Sequence, residues 1–181
     1  AEIKYYLDKV KEHEQQLSLG AQDIPSRQWM KRIVHNGGGN DADEQQLIRS
    51  YVNELKGIAE NNRFGGEVSS FFKASNDPIQ LTGYEQMQEL INSGISLWTI
   101  FGHSSVTFVD YDIGEANSYN NKGRYPFMLV NGCYSGICSN VTKGIGENFV
   151  MEPDRGAIAY CAMVFNGYTG ALKEYSKKAS C

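Results

Sequence analysis

At 181 residues the chain has room for one domain with a substantial buried core. Its net charge of −4 gives no electrostatic ground for expecting nucleic acid or an anionic membrane as partner, and a composition 41% hydrophobic and 21% charged excludes a disordered or fibrous chain. No apolar run approaches the roughly twenty residues of a membrane helix, and the charged start AEIKYYLDKVKEHE does not resemble a signal peptide.

Residues 3–17 place Ile3, Tyr6, Leu7, Val10 and Leu17 at helical spacing, which predicts an amphipathic helix ended by Gly20, with Pro25 keeping the connection open. WMKRIVH (29–35) reads as a strand running into the glycine turn 37–39. Asp41 and Asp43 are caps for a second helix whose stripe is Leu47, Ile48, Tyr51, Val52 and Leu55. A strand over 67–73 and a helix over 84–92 follow. Then come the nearly continuous apolar runs ISLWTIF (95–101), PFMLV (126–130) and AIAYCAMV (157–164), with a helix near 143–151 before the last. Runs of that kind suit strands buried on both faces of a parallel sheet. The alternation indicates a three-layer α/β domain with a mostly parallel sheet flanked by helices.

Ligands of open parallel sheets bind beyond the carboxyl ends of the strands. ISLWTIF leads into Gly102-His103-Ser104-Ser105, and PFMLV into Asn131-Gly132-Cys133-Tyr134-Ser135-Gly136. If those two strands are neighbours, an imidazole and a thiol reach one edge together, as nucleophilic catalysis by cysteine requires. The small flanking residues leave room for a substrate backbone and leave main-chain N–H groups free for an oxyanion hole. Taken singly, each has a plainer explanation: a small buried cysteine and a satisfied polar histidine.

The blocks ISLWTIFGHSS and PFMLVNGCYSG resemble the His and Cys motifs of the caspase-like cysteine peptidases. Within that clan the chain is most similar to the gingipain family, which includes the gingipains and the sortase-like peptidases of type IX secretion. KYYLDKVKEHE, RQWMKRIVHNGGG, INSGISLWTIFGH and GAIAYCAMV carry the similarity over nearly the whole length. The resemblance implies a cysteine endopeptidase core with Cys133 as nucleophile, His103 as general base and acid, and the N–H groups of Cys133 and Ser104 as oxyanion hole. The family usually has glycine where Ser104 stands, so a side chain there is expected to narrow the approach to the scissile carbonyl. It also places an acidic residue near the histidine, in the loop after the WMKRIVH-type strand. The loop here, Asn36-Gly37-Gly38-Gly39, has no carboxylate at that place, so orientation of His103 is expected from another group, such as a main-chain carbonyl. Asp41 is the candidate for recognising a basic substrate side chain, with helix capping as its alternative. An inactive peptidase-like binding module and a sortase-like transpeptidase are the alternatives to hydrolysis. Kinship implies export to the periplasm, the cell surface or the medium.

The same kinship implies a domain truncated at both ends, a strand being expected before Ile3 and further segments after Ser180. The chain then reads as a single caspase-like (sub)domain from a larger multidomain protein. Its partners would be a peptide or protein substrate and the rest of the parent polypeptide, and its open sheet edges would favour self-association. The four cysteines, Cys133, Cys138, Cys161 and Cys181, match no zinc spacing, and neither metal nor cofactor is expected. Cys138 reads as a spectator, Cys161 as core, and Asp110, Tyr111 and Asp112 as a solvated loop rather than cleft or calcium ligands. GGGND lacks the Gly-Lys-Ser/Thr ending of a phosphate loop and reads as a turn.

Overall fold

The computed structural model describes residues 2–75, 83–138 and 142–179, so Cys181 falls outside the described residues. Five short segments rich in β-branched and aromatic side chains form parallel strands: β1 Arg32–Gly37, β2 Glu67–Phe72, β3 Leu97–Phe101, β4 Phe127–Asn131 and β5 Ala159–Ala162. They lie in the order β2-β1-β3-β4-β5, and every neighbouring pair is parallel. The expected adjacency of the two strands that lead to His103 and Cys133 is therefore present. Helices α1 Glu2–Ser18, α2 Ile24–Arg27, α3 Ala42–Ala59, α4 Tyr84–Ser93, α5 Ile145–Met151 and α6 Thr169–Ala179 supply the flanking layers.

Alternation along each strand assigns the two faces. On one, Val34, Trp98, Ile100, Met128 and Val130 pack against α4 and α5 through Met87, Ile91, Ile145 and Phe149. Trp98 sits at its centre, donating its indole N–H to Asn36 Oδ1 at 2.7 Å and meeting Tyr119 and Phe149 edge-on. On the other face, Ile33, Val68 and Leu97 lie beneath Ala59 of α3, while Phe101 packs with Ile48 and Val52 of α3 and Leu172 of α6. The result is the expected three-layer α/β arrangement.

Several expectations are corrected. The strand foreseen from residue 29 begins at Arg32, because Gln28–Lys31 is a 3-10 turn that turns Trp29 into the core. Pro25 stands in the first turn of α2, where its missing N–H costs nothing, and Asp23 caps that turn by accepting from Ser26 N–H at 3.0 Å. β5 is shorter than its apolar run and half-exposed throughout, as an edge strand is. In α1 the foreseen stripe is split: Tyr6 and Val10 are partly buried, while Ile3, Leu7 and Leu17 are exposed. The helix is also held by buried Lys9, whose Nζ donates to the carbonyls of Phe149 (3.2 Å) and Val150 (3.1 Å) at the C-terminal end of α5 and of Arg155 (2.5 Å) just beyond it. Asp110 and Tyr111 are not a solvated loop either, at 2% and 1% exposure.

Candidate active site

The site follows from strand register. Leu97 faces Phe127 and Phe101 faces Asn131, so residues thirty apart lie side by side across β3 and β4. His103 and Cys133 are also thirty apart, each two residues beyond the last pair. Two strands that end together thus deliver an imidazole and a thiol to one rim of the sheet. Both side chains line a small cavity of about 50 Å³, with Glu44 beside them and Ile48, Phe101 and Leu172 from the packed layer around them. Neither Asp41 nor Ser104 lines it.

Glu44 is the functional residue that sequence reasoning missed. Its two carboxylate oxygens stand 2.8 and 2.9 Å from His103 Nε2. The side chain is itself oriented by the first turn of α3: Oε2 also accepts from Asn40 N–H at 2.8 Å, while Asp41 Oδ1 accepts from Glu44 N–H at 2.9 Å. Both contacts lie at the positive end of a helix, where a carboxylate is favoured. A carboxylate can only accept, so Nε2–H is the donor to Glu44, and in a neutral ring Nδ1 is the basic nitrogen. The group orienting His103 is therefore a side chain, not the main-chain carbonyl suggested by the sequence. The signal available was Asp-x-x-Glu at 41–44, directly after the exit of the strand that neighbours β3.

The cysteine loop is tightly specified. Tyr134, directly after Cys133, takes φ 59°, a left-handed conformation uncommon for a bulky side chain and found where structure over-determines the backbone. It is held by its N–H donating to Phe165 O at 3.2 Å and by edge-on contact with the Phe165 ring, while Gly136 N–H donates to Met163 O at 2.8 Å. Ser104 ties this loop to the histidine loop, its hydroxyl donating to Cys133 O at 2.8 Å. Its Oγ occupies the space that a side chain on Gly132 would need, so glycine is required there. The serine hydroxyl is thus spent on the neighbouring loop. Among the described residues neither Ser104 N–H nor Cys133 N–H has an acceptor.

Asp41 is exposed and caps α3. Cys133, Cys138 and Cys161 are all free thiols; Cys138 is exposed, and Cys161 lies 3.4 Å from the Tyr175 hydroxyl at the edge of the sheet. No cluster of three or more potential metal-ligating side chains occurs among the described residues.

Comparison with solved structures places the fold beside known peptidases. A structure described only as a protease superposes with a TM-score of 0.71 at 17% identity, covering 97% of this chain and 37% of that one. The Arg specific cysteine proteinase gingipain R gives 0.70 at 14% identity, covering 98% of this chain and 41% of that one. A complex of the pro- and mature domains of gingipain RgpB from Porphyromonas gingivalis gives 0.68 at 14%, with 95% and 41% covered. At such identities the likeness is one of fold, the caspase-like arrangement of the gingipains, and this chain spans about two-fifths of the length of those chains. A search of curated proteins finds no match. The family model for Peptidase family C25 matches residues 1–180, and the chain belongs to that family.

Proposed function

We propose that this chain carries the catalytic machinery of a cysteine endopeptidase, with Cys133 as nucleophile, His103 as general base and acid, and Glu44 as the group that orients the imidazole. The observation that carries this reading is the convergence of the three side chains on one cavity, with Nε2 of His103 committed to Glu44. Nδ1 is then the nitrogen that takes the thiol proton as sulfur bonds to the scissile carbonyl carbon. The oxyanion so formed accepts from the N–H groups of Cys133 and Ser104. Collapse breaks the C–N bond, the leaving amine takes the proton from His103, and water activated by the same imidazole hydrolyses the thioester. The Glu44 carboxylate stabilises the imidazolium present between those steps, as the third member of such constellations does.

Glu44 also removes one ground for reading the chain as an inactive module, the missing acidic partner of His103. Asp41 remains the candidate for a basic substrate side chain; one oxygen caps α3, and its exposed position leaves the other open to a cation. By kinship the protein acts in the periplasm, at the cell surface or outside the cell. A peptidyl chloromethyl ketone will label the protein at Cys133, with labelling lost in Cys133→Ala and in His103→Ala. Labelling that survives Cys133→Ala overturns the assignment. Added amine nucleophile separates hydrolysis from transpeptidation by whether the amine appears in the product.

A further inference from the structure

Asp110 lies below the candidate site, and the mechanism above gives it no part. Beyond His103 the chain doubles back in a short antiparallel turn, with Ser105 N–H donating to Phe108 O and Asp110 N–H to His103 O, both at 2.9 Å. This return brings the Asp110 side chain into space left by glycines. Its Oδ2 accepts from Gly39 N–H at 2.8 Å, and a side chain on either Gly38 or Gly102 would collide with the carboxylate. Lys73, just past β2, stands opposite with Nζ 3.9 Å from Oδ2, and both side chains are buried, at 0% and 2% exposure. Lys73 is anchored in turn by its N–H to Gly37 O at 2.7 Å.

The glycines give this pair its meaning. Gly38 and Gly39 lead into α3 and hence to Glu44, while Gly102 immediately precedes His103. One carboxylate therefore touches both arms of the His103–Glu44 hydrogen bond. Burial pushes the carboxyl of Asp110 up from its ordinary range, opposed by the Gly39 N–H and the Lys73 charge. A buried ion pair at 3.9 Å, with Asp110 Oδ1 and Lys73 Nζ both lacking a hydrogen-bond partner among the described residues, is a poor device for stability alone. It is a good device for fixing one geometry.

We propose that Asp110 is a positioning residue: charge-balanced by Lys73, its carboxylate clamps the loop that leads to Glu44 against the loop that carries His103, and so sets their hydrogen bond. The role rests on His103 being the base, and its test is chosen to be separable from that reading. The imidazole Nε2–H of His103 is followed by proton NMR, assigned by its loss in His103→Ala. In Asp110→Ala its exchange with solvent is expected to quicken by about tenfold or more, because the loop can open locally. Asp110→Asn, which keeps an acceptor for Gly39 N–H, is expected to restore part of the protection. Both variants are also made with Lys73→Met, so that no charge is left buried alone. A folded Asp110→Ala protein whose imidazole N–H exchanges at the wild-type rate overturns the proposal. In the wild type itself, Gly39 N–H and the imidazole N–H should open at a common rate; separate rates overturn it without any variant. Chloromethyl ketone labelling of the wild type decides the peptidase reading independently.

Discussion

His35 makes the fold sensitive to acid, by an amount that can be worked out. It lies in the middle of β1, 1% exposed, beside Ser70 of β2 and Thr99 of β3, and neither ring nitrogen has a hydrogen-bond partner among the described residues. Burial, with a smaller push from the Lys56 charge, lowers its pKa from 6.5 to about 4. The unfolded chain therefore binds the proton first as pH falls. Stability is complete above pH 6.5 and is lost between there and pH 4, by about 3 kcal/mol in total at roughly 1.4 kcal/mol per pH unit. Between pH 7 and pH 5 the loss is about 2 kcal/mol, a sizeable share of the roughly 5–15 kcal/mol that holds a domain together. Other groups titrate too: burial lowers the pKa of His13 and raises that of Asp110, with opposite effects on acid stability. The measurement is accordingly a double difference. Urea unfolding of wild type and His35→Leu is followed at pH 7 and pH 5, and the shared groups cancel. Wild type should lose about 2 kcal/mol more than the variant, equivalent to roughly 4–8 °C in melting temperature for a domain of this size. Equal losses in the two proteins would refute the argument.

Three further outcomes test other parts of the molecule. Glu44→Gln should slow labelling of Cys133 by about 10- to 1000-fold while leaving the melting temperature within a few degrees, since the amide can still accept from Asn40 N–H but no longer stabilises an imidazolium. Lys9→Met should cost about 1–3 kcal/mol in urea unfolding, because it strands the carbonyls of Val150 at the end of α5 and of Arg155 just beyond it, while Phe149 O keeps Ala157 N–H as a donor. Burial holds the pKa of Lys9 down at about 8, so the cost of its charge fades and its share of stability rises as pH climbs from 8 towards 10.5. Ser104→Gly should lower the labelling rate rather than raise it, because the hydroxyl joins the two loops at Cys133 O instead of obstructing the cleft; faster labelling would restore the view that the serine narrows the approach.

The parts of the fold that were legible are those in which one signal dominated. β3 and β4 were marked by nearly continuous apolar runs, which suit strands covered on both faces; their adjacency was a condition of the sequence reading that the sheet order meets. α3 and α4 carried stripes that become buried, through Ile48, Val52 and Leu55 in one and Met87 and Ile91 in the other. α1 shows the weakness of the same rule: Tyr6 and Val10 of its stripe are only partly buried, Ile3, Leu7 and Leu17 are exposed, and the fully buried side chain is a lysine, which hydrophobic periodicity reads as the solvent side. Thr169–Ala179 was passed over because it meets the core chiefly through Leu172, and one apolar anchor makes no stripe.

The site divides along the same line. His103 and Cys133 could be read because each follows its own strand directly and their separation equals the register offset of the pair. Glu44 could not be read that way, because it belongs to a helix rather than a strand exit, and its spacing from Asp41 was already explained by capping. A carboxylate that completes a cap and also orients an imidazole serves two ends with one side chain, and the local end conceals the distant one. Asp110 was hidden for a different reason. A charged residue in a loop is solvated unless a partner and a cradle are supplied, and here the partner comes from the end of β2 while the cradle comes from glycines after β1 and β3. The run of glycines at 37–39 looked like a turn, which explained their freedom but not their number. Gly38 and Gly102 are small because a buried carboxylate occupies the volume beside both, so the shape of the loops near His103 was written in residues whose contribution is the absence of a side chain.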